Sequence, residues 1–207
     1  YGTEPMLKST LERFNKIFPQ IKLLQTYGLS EVGILRSKSK SSNSLWMKIG
    51  GEGFTTRVVN NMLEIKAKSA MLGYLNAPSP FTKDGWFKTG DQVLTDGDYF
   101  KILGRNSEII NVGGEKVYPQ VVENIICQLD FIEDVEVYKE ANPIIGNIVC
   151  AKVSTDKSLN DNDAVIKIKK YCTQFLKRHE VPMRINVAKK LEYSKRFKKN
   201  RSRSLNE

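Results

Sequence analysis

Tyr27-Gly28-Leu29-Ser30-Glu31 sets an aromatic ring, a glycine, a hydroxyl and a carboxylate side by side, directly after the polar pair Gln25-Thr26. These are the parts of a loop that handles phosphate. Gly28 permits a tight turn, Ser30 offers a hydroxyl to a phosphate oxygen, and Glu31 offers the hard carboxylate oxygen that Mg²⁺ prefers. The same residues also suit a helix start with Ser30 as its cap. A second run, Asp84-Gly85-Trp86-Phe87-Lys88-Thr89-Gly90-Asp91, ends in a carboxylate after a glycine turn. Asp91 can there accept two hydrogen bonds from a ribose diol; the alternative is a hairpin turn with Trp86 in a core. In the third, Gly104-Arg105-Asn106-Ser107 leads through a short apolar hairpin to Gly113-Gly114-Glu115-Lys116-Val117-Tyr118-Pro119, closing on Glu123. Arg105 can meet a ribose or a phosphate, and Gly113 and Gly114 let the backbone approach a ligand; a plain hairpin linker fits as well. Finally, residues 193–201 read YSKRFKKNR, a run from which a lysine can reach a phosphate made elsewhere, or which is simply solvated.

The surrounding pattern says what must position these groups. Apolar residues near helical spacing predict a helix over 5–18, stopped by Pro19, then a short strand over 21–24 entering a loop over 25–33. Residues 36–44 are rich in Ser and Lys without an apolar period and read as an exposed flexible loop. Short β-type runs at 46–49, 56–59, 63–67 and 99–103, separated by Gly and Asp clusters, predict a small antiparallel sheet or barrel. Beyond Arg105 the pattern changes. Pro119 opens a helix with Val121, Val122, Ile125, Ile126 and Leu129 on one face. Strands follow at 135–138 and 148–153. A second helix from Asp161 places Val165, Ile168, Cys172, Phe175 and Leu176 on one side, Pro182 marks its end, and a last strand covers 184–188. The expected fold class is α+β: a β-rich module over 1–103 and a small α+β module over 104–207.

Composition bounds the function. The chain has 207 residues, 40% of them hydrophobic, enough for a buried core. No run approaches the roughly 18 apolar residues of a membrane helix and no signal peptide opens the sequence, so the default compartment is the cytoplasm. Cys127, Cys150 and Cys172 are odd in number and form no CxxC pair, which argues against a disulfide framework or zinc site and for core thiols. The net charge of +10 is concentrated in residues 161–207, which carry +9. Such a tail can bind a polyanion, serve a polyphosphate substrate or be merely solvated. Tyr1 stands where a reading frame normally has Met, so the chain is expected to be part of a longer protein.

Together these residues resemble the adenylate-forming superfamily of acyl-CoA synthetases, peptide-synthetase adenylation domains and luciferases, over nearly the whole chain. Gly2-Thr3-Glu4-Pro5-Met6 looks like the loop that flanks adenine in that family, and Tyr27 to Glu31 matches its YGxTE motif with Ser for Thr. The resemblance implies stacking of Tyr27 near adenine, a phosphate contact for Ser30 and Mg²⁺ on Glu31. Gly73-Tyr74 before Pro78, Gly85-Trp86 and Thr89-Gly90-Asp91 match the stretch that puts an Asp on the ribose hydroxyls. Arg105 matches the ribose-contacting Arg, and the Gly113-Gly114-Glu115-Lys116 segment through Pro119 and Glu123 is similar to the acyl-CoA synthetase form of the next motif. Lys198 falls where the family has its catalytic Lys.

Two positions depart: Ser107 occupies the pivot where the family has Asp or Lys, and Phe197 replaces the Gly before the catalytic Lys, leaving Lys195 and Lys199 as other registers. The implied reaction is ATP-dependent activation of a carboxylic acid, fatty or otherwise hydrophobic, to acyl-AMP, followed by transfer to the thiol of coenzyme A or of carrier-protein phosphopantetheine. No specific nucleic acid partner is implied. Between the steps the family's small domain rotates about the hinge, exchanging the Lys for the Gly-Gly hairpin. The family's glycine-rich phosphate loop and most of its acid pocket have no counterpart in these residues, so this polypeptide alone is expected to be a poor catalyst. A non-catalytic, polyanion-binding remnant is the reading of another class.

Overall fold

The computed structural model describes residues 1–2, 6–156 and 158–191. The chain forms two compact units, Tyr1–Ser107 and Glu108–Glu207, with separate hydrophobic cores. Among the described residues no helix is long and apolar enough to cross a membrane.

The first unit opens with α1 (Lys8–Ile17), which buries Leu11 completely. Asn15 on this helix donates to the Ser42 carbonyl at 2.8 Å. Seven strands follow: β1 (Tyr27–Leu29), β2 (Gly33–Ser39), β3 (Met47–Gly50), β4 (Phe54–Val59), β5 (Met62–Ala67), β6 (Phe87–Asp96) and β7 (Tyr99–Arg105). They make one sheet in the order β1-β2-β3-β7-β6-β5-β4, with every pair antiparallel. Val32, Leu35, Met47, Leu63, Ile65, Phe87 and Val93 form its buried face.

Three local expectations are corrected here. Residues 21–24 form no strand; the Leu24 carbonyl accepts the Tyr1 amino group at 3.0 Å, and no ladder extends from it among the described residues. The loop expected over 25–33 contains β1 and a turn into β2. Of the loop expected over 36–44, residues 36–39 belong to β2, where Ser37 and Ser39 turn toward Gln25: the Ser37 hydroxyl donates to the Gln25 carbonyl at 2.7 Å and Ser39 Oγ accepts the Gln25 N–H at 2.8 Å. A strand whose inward positions satisfy backbone groups needs no apolar alternation.

In the second unit, β8 (Ile110–Val112) and β9 (Glu115–Val117) form a hairpin, α2 (Pro119–Ile126) follows, then β10 (Ile132–Asn142), β11 (Gly146–Thr155), α3 (Asp161–Phe175) and β12 (Arg184–Val187). The sheet runs β10-β11-β8-β9, and β12 pairs with β11 in parallel through the α3 crossover. Val122 and Ile126 of α2 and Ile168 and Cys172 of α3 pack on Val135, Val137, Val149, Ala151 and Val153. Pro119 starts α2, its missing N–H falling where a helix leaves that donor unpaired. Asn160 caps α3 by accepting the Asp163 N–H at 2.9 Å, and Asp161 and Asp163 in the first turn suit the positive helix end. Leu129 lies beyond the end of α2, and α3 ends at Phe175, which is 57% exposed rather than in the core. The last turn outruns the apolar face, and Leu176 is already extended backbone.

Candidate functional site

The site in the first unit is built around one buried carboxylate. β6 and β7 pair in a register that sets Asp91 opposite Arg105, and Arg105 Nε lies 2.9 Å from Asp91 Oδ1. From β1, the Tyr27 hydroxyl donates to Asp91 Oδ2. The Tyr27 ring belongs to the sheet's core and is only 8% exposed. The Asp91 side chain is also 8% exposed, whereas that of Arg105 is 48% exposed. Beneath them Thr89 Oγ1 accepts the Asp91 N–H at 3.0 Å and donates to the Leu63 carbonyl at 2.7 Å, tying the carboxylate's backbone to β5.

The local chain explains the arrangement. Gly90 has φ +78°, a left-handed conformation that favours glycine, and the β6–β7 ladder shifts register between Gln92 and Val93. As a result Asp91, Gln92 and Val93 are buried in succession. Gln92 Nε2 reaches Asn106 Oδ1 at 3.3 Å, at the start of the short 3₁₀ turn Asn106–Glu108 that contains the exposed Ser107.

A second arm carries Glu31. Its carbonyl accepts the Met71 N–H at 2.8 Å, and its Oε1 accepts the Tyr74 hydroxyl at 2.6 Å. Burial, followed by the Asp91 charge and hydrogen bond, pushes the Tyr27 phenol far above its ordinary value, so it remains a protonated donor. The hydrogen bond to Glu31 is the main cause that raises Tyr74. The Arg105 charge partly offsets both shifts, so one guanidinium acts on both arms.

Ser30 is exposed in the turn between β1 and β2 and starts no helix. Gly28 lies inside β1 rather than in a turn; a Cβ there would meet the Ile34 Cα at 3.1 Å, so glycine permits the close approach of β2. Gly2 is tighter still, since a Cβ would sit 2.3 Å from the Thr26 carbonyl oxygen, and the Thr26 N–H donates to the Tyr1 carbonyl at 2.8 Å. The chain start thus lies beside the Tyr27 segment. Glu4, Pro5, Lys195, Lys198 and Lys199 lie outside the described residues.

In the second unit Gly113 and Gly114 form the β8–β9 turn with φ +58° and +94°, as a two-residue hairpin with both central residues left-handed requires. The Gly113 N–H donates to the Ile145 carbonyl and the Gly114 N–H to Asn111 Oδ1, both at 2.9 Å. Nothing lies within 4 Å of a Cβ built on either glycine, so backbone conformation, not crowding, selects them.

The structure adds groups to which the motif reading gave no role. Thr89 anchors Asp91, Tyr74 holds Glu31, and Gln25 is 4% exposed with its Oε1 unpartnered among the described residues. The polar pair Gln25-Thr26 and the Thr-Gly-Asp triplet were the available signals. As to a divalent metal, no cluster of three or more His, Cys, Asp or Glu occurs among the described residues. Glu31, with Oε1 occupied by Tyr74, suits a Mg²⁺ held mainly by phosphates and water rather than by a protein cage.

No family model matches the chain. Among curated proteins it is 28% identical over 184 residues to the 2-succinylbenzoate–CoA ligase of Enterococcus faecalis, covering 80% of this chain and 37% of that protein. It is 26% identical over 202 residues to the putative long chain fatty acid–CoA ligase VraA of Staphylococcus epidermidis, covering 90% and 42%. Of solved structures, ATP-bound MatB from Rhodopseudomonas palustris superposes with a TM-score of 0.80 at 24% identity, covering 94% of this chain and 42% of that one. An ATP-bound RpMatB–BxBclM chimera gives 0.82 at 22% identity, with coverages of 94% and 42%. The chain spans about two fifths of the length of these proteins. Its sequence is thus similar to part of these acid–CoA ligases, and its fold to part of the ATP-bound MatB structures.

Proposed function

We propose that this chain supplies the nucleotide-binding rear portion of an ATP-dependent acid–thiol ligase, which converts a carboxylic acid to acyl-AMP and passes the acyl group to coenzyme A. The observation that carries this reading is the convergence of Tyr27 and Arg105 on the buried Asp91 carboxylate, with Glu31 and Tyr74 alongside. A carboxylate oriented by two donors keeps acceptor capacity for the ribose diol. Arg105 is the exposed partner and the one a nucleotide can draw away, while Tyr27 remains behind to hold Oδ2. Gly2, with Glu4 and Pro5, would flank the adenine beside Tyr27, and Ser30 would meet the phosphates.

In the first step the acid's carboxylate oxygen attacks the α-phosphorus of ATP and pyrophosphate leaves. Mg²⁺, held by Glu31 and the phosphates, would supply charge neutralisation. Lys198, or Lys195 or Lys199 in another register, would stabilise negative charge building on the α-phosphoryl oxygens. In the second step a thiol attacks the acyl carbonyl and AMP leaves, with the Gly113-Gly114 turn guiding the pantetheine arm and Ser107 at the pivot between the adenylation part and the C-terminal domain. A hydrophobic acid is our choice of substrate, supported by the relative whose name specifies a long chain fatty acid. Carrier-protein phosphopantetheine is the second acceptor that the same hairpin would suit.

The test is calorimetric titration of this chain with AMP. Asp91→Asn, which removes the charge and leaves the shape, should weaken AMP binding by about tenfold or more, the loss typical of a charge-assisted pair. Equal affinity in Asp91→Asn, or no AMP binding by the unaltered chain, would overturn the reading.

A further inference from the structure

A cavity of about 530 Å³ in the first unit is lined mainly by β2, β3 and the β6–β7 turn, and its lining includes none of the residues around Asp91. Along β2, Leu35 turns to the core while Arg36 and Lys38 are exposed on the opposite face. In the β2–β3 ladder Arg36 faces Gly50 and Lys38 faces Lys48. Two lysines directly opposite on one face repel each other. Lys48 is compensated, with its Nζ 2.7 Å from Asp98 Oδ2 and 5.1 Å from the Tyr99 ring centre. The side chains of Arg36 and Lys38 have no ion-pair or hydrogen-bond partner among the described residues.

The arginine is also placed. Gly51 has φ +113°, and a Cβ there would lie 3.1–3.3 Å from Cβ, Cγ and Cδ of Arg36. The aliphatic stem therefore lies across the glycine, and Arg36, Lys38 and Lys48 line the cavity together. Ile49 and Phe100, both buried, contribute to the lining as well. Asp98 also lines the cavity, but its charge is held by Lys48; Glu52 beside Gly51 is exposed and outside the lining.

We infer that this cavity binds a small soluble molecule carrying a phosphate ester or diphosphate. A planar guanidinium beside an ammonium matches phosphate oxygens, the first by paired hydrogen bonds and the second as a point charge. The volume falls in the range of about 300–1,000 Å³ common for small-molecule sites and exceeds what a bare phosphate fills. The row of cations also stops: Lys40, next on the same face, is paired with Asp96 at 2.9 Å. With Lys40 held by Asp96 and Lys48 by Asp98, the patch has the extent of one ligand and not of a track for a nucleic acid or an anionic membrane.

The experiment is amide and arginine side-chain NMR of the 207-residue chain titrated with inorganic pyrophosphate at near-physiological salt. Saturable shifts should be confined to Gly50, Gly51, Gly97 and the Arg36 side chain. The pair Arg36→Gln with Lys38→Gln, both exposed, should weaken binding about tenfold or more without changing the dispersion of other signals. Asp98→Asn, which removes the competing carboxylate, should tighten it. Asp91→Asn should leave these shifts intact, separating this site from the proposed adenylate site. Non-saturating shifts spread over surface lysines, undiminished binding by the double variant, or oligo-dT or phosphatidylserine vesicles binding at these amides when pyrophosphate does not would each overturn the inference.

Discussion

Tyr27 is the residue whose two halves do different work. Its ring packs in the core of the first sheet, and its hydroxyl points the Asp91 carboxylate by donating to Oδ2. Tyr27→Phe keeps the ring and removes only the donor. On the proposed reading the variant should bind AMP several-fold less tightly and lose much of its preference for AMP over 3′-deoxyadenosine monophosphate, because the misoriented carboxylate no longer tells a diol from a single hydroxyl. Equal weakening toward both nucleotides would reduce the hydroxyl to a prop for the fold. Two thiols make a separate case. Burial pushes Cys172 up to about 11, and burial with the Glu140 carboxylate, which accepts the Cys150 thiol at 3.4 Å, pushes Cys150 up to about 12. Both stay protonated in the folded protein where an unfolded thiol, near 9.0, has begun to ionise. Their contribution to stability is therefore full below about pH 9 and is lost as pH rises toward the folded values. Peptide mapping after native alkylation at pH 8 should find Cys127, which is half-buried, labelled first, and urea unfolding of the second unit should weaken between pH 9 and 11. Alkylation of Cys150 as fast as Cys127 would show that the thiol is not held in this way.

At the scale of elements, a buried side chain joins α2 to β10. Glu123, fully buried, accepts the Val137 N–H at 3.0 Å through Oε1. Glu123→Ala would leave that N–H without its acceptor and should destabilise the second unit by about 1–3 kcal/mol, whereas Glu123→Gln, which keeps an acceptor oxygen, should cost clearly less. Urea midpoints of the two variants provide the comparison, and equal losses would mean that the charge rather than the accepted bond matters. This helix was legible in the sequence: Pro119 opens it, and Val122 and Ile126 repeat on one face. So was α3, where Ile168 and Cys172 fall on one face. β2 was not legible, because Ser37 and Ser39 occupy inward positions and are satisfied by the backbone of Gln25, a partner distant in sequence. Nor was β6, for which no strand was expected, since Thr89-Gly90-Asp91 reads as a turn when only glycine's freedom is considered. In the sheet Gly90 instead accommodates an irregular ladder that buries Asp91. The residue types of the candidate site were visible as motifs. The Tyr27–Asp91 and Tyr74–Glu31 bonds depend on a strand order, β1-β2-β3-β7-β6, that local pattern does not encode.

For the whole molecule, two units with separate cores fit the proposed reaction, whose two steps make different electrostatic demands. Acyl-AMP formation builds negative charge on the α-phosphoryl oxygens and calls for a positioned cation. Thioester formation delivers a thiol to an acyl carbonyl and calls for a path along which the pantetheine arm can lie. On the proposed reading, Lys198 serves the first demand and the Gly113-Gly114 turn the second. In a complete enzyme of the proposed kind, Lys198→Ala should slow pyrophosphate release by about a hundredfold, equivalent to roughly 3 kcal/mol for one lost donor. Thioester formation from supplied acyl-AMP should be nearly unchanged. Gly114→Leu should do the reverse, since a branched side chain at φ +94° strains the hairpin turn and fills the space before it. Each variant serves as the other's control for folding, because each must retain the step the other loses. If Lys198→Ala impairs both steps equally while Lys195→Ala or Lys199→Ala impairs only the first, the catalytic lysine lies in the neighbouring register. If no lysine of residues 195–199 separates the steps, the tail is solvated and the cation comes from another part of the protein.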